Sequence, residues 1–173
     1  MGRKIWILVL VQLSLKMYGQ SFVKRLESKA DFFVFFGLPL AEKYNDKRRI
    51  SSIYFDIAGV YVSLKNFEEF FRYAKKGGEN LPDKSSPKYD YMLVQFQRSM
   101  GYYYLEKNQL DSTLYYAQAA AQTSERLKLR LYRLQTLTLL AFTYAKLNDT
   151  ALADVYFNKS QVVADSIIVR KEI

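Results

Sequence analysis

Residues 97–120, QRSMGYYYLEKNQLDSTLYYAQAA, decide how the whole chain is read. They open as Gln97-x2-Met100-Gly101-x2-Tyr104 and continue through Thr113, Ala117 and Ala120. The same pattern stands upstream as Tyr54-x2-Ile57-Ala58-x2-Tyr61, closed by Pro82. It returns downstream as Leu137-x2-Leu140-Ala141-x2-Tyr144, followed by Ala153, Phe157 and Ser160. Apolar residues at three- and four-residue steps form the buried stripe of an amphipathic helix. A small residue within such a stripe lets two helices approach closely. The small positions Ala58, Gly101 and Ala141 lie 43 and 40 residues apart, so a unit of about 40 residues recurs.

Working outward, the periodicity predicts first helices over 50–64, 88–106 and 129–146. Second helices are expected over 67–76, 110–127 and 150–169. Lys65-Asn66 and Asn148-Asp149 supply turns, and Gly77-Gly78 is expected to end a helix in the left-handed cap conformation. Residues 83–88 read as a loop, with Ser86 and Pro87 as N-cap and first-turn residue of the next helix. The run Phe32-Phe33-Val34-Phe35-Phe36-Gly37-Leu38 is expected to be core, buried against the helix over 50–64. Pro39, lacking a backbone donor, should bend or end its helix.

Over residues 51–165 the three copies resemble the tetratricopeptide repeat signature, W-x2-L-G-x2-Y…A-x3-F…P. The resemblance implies an all-α fold, a right-handed superhelical α-solenoid of antiparallel helix pairs. Residues 22–173 would form the repeat domain, with a half repeat at 23–46 and repeats at 50–82, 88–128 and 129–169. The unit is longer than the family's usual 34 residues, Phe70 fills a slot that is usually small, and Ala74 and Ala117 fill slots that are usually aromatic. In this family the first helices line a concave face that holds an extended peptide or a helix. Carried over through the aligned motif, that face would present Ser52, Phe55, Gly59 and Val62 from repeat one. Repeat two would add Gln95, Arg98, Tyr102 and Leu105, and repeat three Gln135, Thr138, Phe142 and Lys146. Arg98 suits a carboxylate, the glutamines suit a peptide backbone, and Tyr102 and Phe142 offer flat apolar contacts. The family's variant that grips a terminal carboxylate with Lys and Asn is not expected, because the Asn partners are missing. A signal-like start followed by long repeats also resembles the extracytoplasmic part of bacterial sensor kinases and regulators. That gives a second expectation, the input module of a signalling protein.

Composition narrows the chemistry. The 173 residues include no Cys and no His, which excludes disulfides, thiol nucleophiles, zinc fingers and His-based catalytic triads. No glycine-rich phosphate loop or paired carboxylate appears, so neither enzymatic activity nor a metal or cofactor is expected. Half of the residues are hydrophobic and only 7 are Gly and 3 Pro, as in a folded helical chain. The net charge of +9 falls to +6 without Arg3, Lys4 and Lys16, and its even spread fits solvated helix faces better than a nucleic-acid stripe.

Those three charges lie in Met1–Gln20, where a basic start precedes an apolar run from Ile5 to Leu15. Eleven residues are too few for a bilayer-spanning helix and suit the middle of a secretory signal, so residues 1–21 are expected to be a leader. Export to the periplasm or outside the cell follows. The alternative is a cytoplasmic protein whose residues 5–25 fold as a helix. The expected partner is a protein or peptide, with a homo-oligomer formed through an uncapped terminal helix as a further expectation.

Overall fold

The computed structural model describes residues 24–25 and 28–168, and the expected leader at 1–21 lies outside them. The described residues contain helices and no strand. Helix α1 covers residues 28–43, with a π-helical turn at Phe33–Gly37 leading into Leu38–Lys43. It is followed by α2 (Lys47–Ser63), α3 (Phe67–Glu79), α4 (Tyr89–Glu106), α5 (Leu110–Arg126), α6 (Arg130–Lys146) and α7 (Thr150–Ile168). Helices α2–α3, α4–α5 and α6–α7 pack as consecutive pairs, each pair packs on the next, and α4 touches both α2 and α6. None of these helices is long and apolar enough to cross a membrane.

The regularity comes from one turn used five times. Asn45, Lys65, Asn108, Lys128 and Asn148 each take a left-handed conformation, with φ between 47° and 60°. The residue after each donates its N–H to the carbonyl five residues earlier: Asp46 to Ala41, Asn66 to Tyr61, Gln109 to Tyr104, Leu129 to Ser124 and Asp149 to Tyr144, at 2.8–3.0 Å. This Schellman bond satisfies a carbonyl that the helix end would leave without a partner. The same residue starts the next helix, and the side chains of Asp46, Asn66 and Asp149 accept from the N–H of Arg49, Glu69 and Leu152. One short segment therefore closes one helix and caps the next, which fixes the hairpins at nearly constant length. The junction at 80–88 departs from this pattern and carries the loop expected there.

Packing explains the exchanged large and small positions. The signature tyrosines stack on a tyrosine twelve residues later in each hairpin: Tyr61 on Tyr73, Tyr104 on Tyr116, Tyr144 on Tyr156. Ring centroids lie 5.3–5.5 Å apart and the planes within 12°. The aromatic thus sits one residue before Ala74 and Ala117, both fully buried where the helices meet. Stacked pairs contribute about 0.5–1.5 kcal/mol beyond the area they bury. A double-mutant cycle on Tyr144→Leu and Tyr156→Leu, read by thermal unfolding, is expected to return a coupling of about 1 kcal/mol. Strict additivity would mean the rings only fill space.

Three sequence expectations are corrected. Gly77 and Gly78 lie inside α3 and neither has positive φ. Their role is close approach: an added Cβ would stand 2.7 Å from the Phe55 ring at Gly77 and 2.5 Å from the Phe96 ring at Gly78. Of the run 32–38 only Leu38 is buried, while Phe32, Phe35 and Phe36 are exposed. Pro39 does not end α1, because the turn ahead of it widens and the Leu38 N–H donates to the Phe33 carbonyl five residues back. The first helices otherwise follow the expected spans closely, and Ala58, Gly101 and Ala141 are all buried. At Gly101 an added Cβ would stand 2.8 Å from Leu139 Cδ2 of α6 and 3.6 Å from the Ala117 nitrogen of α5.

Candidate partner-binding groove

Helices α2 and α4, with Phe67 and Phe70 of α3, Lys29 of α1 and Tyr132 of α6, line two adjoining clefts that form one groove. Its apolar end is a cleft of about 750 Å³ lined by Phe55, Gly59, Val62, Phe67, Phe70 and Tyr102, with Lys65, Ser99 and Glu106 at its edges. Phe55, Gly59 and Arg98 continue from there into a second, polar cleft of about 430 Å³. That cleft adds Lys29, Ser52, Asp56, Tyr91, Gln95 and Tyr132. Ser52 and Tyr91 lead on to a basic mouth carrying Arg48, Arg49 and Lys88.

Arg98 joins the two clefts. Its Nη1 donates to Gln135 Oε1 at 3.0 Å, tying α4 to α6. The guanidinium lies 5.9 Å from the Tyr102 ring centroid and 5.4 Å from that of Tyr132, within cation–π range of both. Tyr132 Oη donates to Tyr91 Oη at 3.1 Å, which steadies the far side. The Arg98 Nε is buried and finds no acceptor among the described residues. Arg98 lines both clefts, and a planar guanidinium suits an oxyanion that enters them.

The groove also strips water from its titratable groups. Burial raises the Tyr102 hydroxyl above its ordinary range, with Arg98 opposing. Burial and then the Tyr91 hydrogen bond push Tyr132 up further. Asp56 is open to the groove, yet the surrounding walls desolvate its carboxyl and raise it, while Lys29 draws it down. A carboxyl raised on folding makes stability fall as pH climbs through the range between its unfolded and folded values. At neutral pH the charged Asp56 is therefore a small cost, reduced by its exposure to solvent, and Asp56→Asn is expected to raise the melting temperature slightly. The gain should vanish in acid, below the unfolded carboxyl range, where wild type is protonated too. A gain that persists in acid would assign the effect to something other than charge.

Of the residues carried over from the repeat signature, Ser52, Phe55, Gly59, Val62, Gln95, Arg98 and Tyr102 line this groove together. Gln135 joins them through Arg98. Leu105 is buried and faces the core. The rest of repeat three lies apart: the Thr138 hydroxyl is spent on the Leu134 carbonyl, Lys146 Nζ reaches the Leu105 carbonyl at 3.4 Å, and Phe142 is exposed outside these clefts. Sequence reasoning missed Asp56, Tyr91 and Tyr132. Tyr132 stands three residues before Gln135 and Tyr91 four before Gln95, so following each helix face one turn toward its start finds both. No protein-family model matches the chain, and no curated protein matches it.

Proposed function

We propose that this chain is a non-catalytic interaction scaffold, a tetratricopeptide-type right-handed superhelical array that binds a protein or peptide partner along the groove of its first helices. The observation that carries the reading is Arg98, a cation held by Gln135 and two tyrosine rings at the place where the apolar and polar clefts meet. An extended segment suits the groove: an apolar side chain fills the Phe55–Phe70 cleft, a carboxylate or carbonyl meets Arg98, and Ser52 and Gln95 bond the backbone. The leader at 1–21 makes this an exported scaffold, periplasmic or extracellular.

A second reading rests on how the groove is built. Phe55 and Val62 come from α2, Arg98 from α4 and its anchor Gln135 from α6, so an occupant contacts or tugs on all three helix pairs. Binding would then bias how the pairs pack, as the input module of a signalling protein requires. Small-angle scattering with and without a bound peptide separates the two: an unchanged profile supports the scaffold, and a change in radius of gyration supports the sensor.

The groove itself is tested by blocking it. The chain has no cysteine, and a Cβ at Gly59 meets nothing within 4 Å, so Gly59→Cys provides a unique attachment point in the groove. Short random peptides selected on the unlabelled chain should lose binding once that thiol carries a bulky maleimide. Peptides that bind the labelled chain equally well would overturn the assignment.

A further inference from the structure

We infer that the segment held in the groove is an acidic peptide, with an apolar residue in the apolar cleft, one carboxylate at Arg98 and a second carboxylate at the basic mouth. This partner chemistry rests on the reading of the groove as a binding site. Charge complementarity selects it. The polar cleft and the mouth are lined by five cations, Lys29, Arg48, Arg49, Lys88 and Arg98, against the single carboxylate of Asp56. They come from α1, α2 and α4 with its N-cap residue, so the fold gathers charges that stand far apart in the sequence. Of the five, only Arg49 has an acidic partner among the described residues, its Nε lying 3.2 Å from Asp46 Oδ2. Arg98 is bonded to neutral Gln135, and Lys29, Arg48 and Lys88 are exposed. At the apolar end Lys65 and Glu106 balance each other. The excess of positive charge therefore begins at Arg98 and lies to one side of it.

Helix geometry sets the spacing of the partner's groups. Along α2 the groove passes from Val62 through Phe55 to Arg48, and along α4 from Tyr102 through Arg98 to Lys88. Each series spans 14 positions, since 62 − 48 and 102 − 88 are equal. At about 1.5 Å per helical residue that is roughly 21 Å, the reach of about six extended residues. Arg98 stands 10 positions from Lys88, or about 15 Å, which about four extended residues cover. The fitting segment thus carries an apolar side chain at one end, an acid near its middle and another acid about four residues beyond. Cations at the open mouth raise the rate of encounter with such a segment and reject basic ones. A nucleic-acid strand would meet these cations with its phosphates, but its charge would continue past the apolar cleft, where no excess of cations receives it.

Short random peptides selected on the full chain test the inference through their composition. They should be enriched in Asp and Glu on one side of an apolar residue, with two acids about four residues apart. Arg48→Glu with Lys88→Glu should weaken these peptides roughly a hundredfold while helicity is unchanged, since both side chains are exposed. The same selection on that charge-reversed chain should return Lys or Arg in place of the second acid. Peptides that lose binding when Gly59→Cys is blocked, yet carry no excess of acids, overturn the inference and leave the groove standing. Peptides indifferent to that block overturn the groove as the binding site, and a selection that yields no binder overturns both. Acidic peptides that bind the charge-reversed chain as tightly as wild type also overturn the inference. So does a single-stranded oligonucleotide that binds the groove more tightly than the selected peptides, which would assign the cations to nucleic acid.

Discussion

Leu139→Ala is expected to lower the stability of the fold by about 3 kcal/mol, seen as a loss of roughly 10 °C in melting temperature. Leu139 is fully buried, and its Cδ2 occupies the space left by the missing side chain of Gly101, where α4, α5 and α6 meet. Removing it forfeits the burial of most of a leucine side chain and opens a cavity that three helices cannot easily close. Gly101 cannot fill the gap, and the nearest atoms beyond it are the backbone of α5 at Ala117 and Thr113. The control is Leu131→Ala: that side chain is 59% exposed on the same helix, and its loss should change stability by less than about 0.5 kcal/mol. Equal effects at the two positions would mean that the α4–α5–α6 junction is not the centre of the core. Differential scanning calorimetry on the three chains decides it.

Arg98→Ala is expected to weaken groove-selected peptides by about 2–4 kcal/mol, a thirtyfold to thousandfold loss, with the helical fold retained. The side chain joins the apolar and polar clefts, so its removal takes away both the cation of the groove and the group that the Tyr102 and Tyr132 rings share. Arg98→Lys should not rescue binding. A lysine ammonium keeps the charge but loses the planar edge and the stacking against the two rings. Gln135→Ala gives an intermediate loss, because it frees the guanidinium without deleting it. Calorimetric titration of one selected peptide into the four chains reads the series. Rescue by lysine would reduce the role of Arg98 to net charge.

Much of this was legible in the sequence, for identifiable reasons. The helices could be read because their stripes repeat at three and four residues and because Lys65-Asn66 and Asn148-Asp149 carry turn chemistry. The groove residues of repeats one and two could be read because equivalent helix positions face the same way. What stayed hidden depended on neighbours distant in sequence. Glycine is both a cap and a close-approach residue, and only the rings of Phe55 and Phe96 show which role Gly77 and Gly78 play. Hydrophobicity alone placed Phe32, Phe35 and Phe36 in the core, whereas α1 has only α2 to pack against among the described helices. Lys146 looked available for a ligand until its reach to the Leu105 carbonyl was visible. Leu139 lies outside the signature stripe of its own helix and is buried by Gly101, 38 residues earlier.

The central claim is that a partner segment lies along the first helices with Arg98 at its midpoint. Amide chemical-shift mapping with a peptide selected on the unblocked chain tests it most directly. The account predicts shifts concentrated at Ser52, Phe55, Gly59, Gln95, Arg98 and Tyr102, with α7 silent. Shifts concentrated on α1 or α7 and absent from these positions would contradict it.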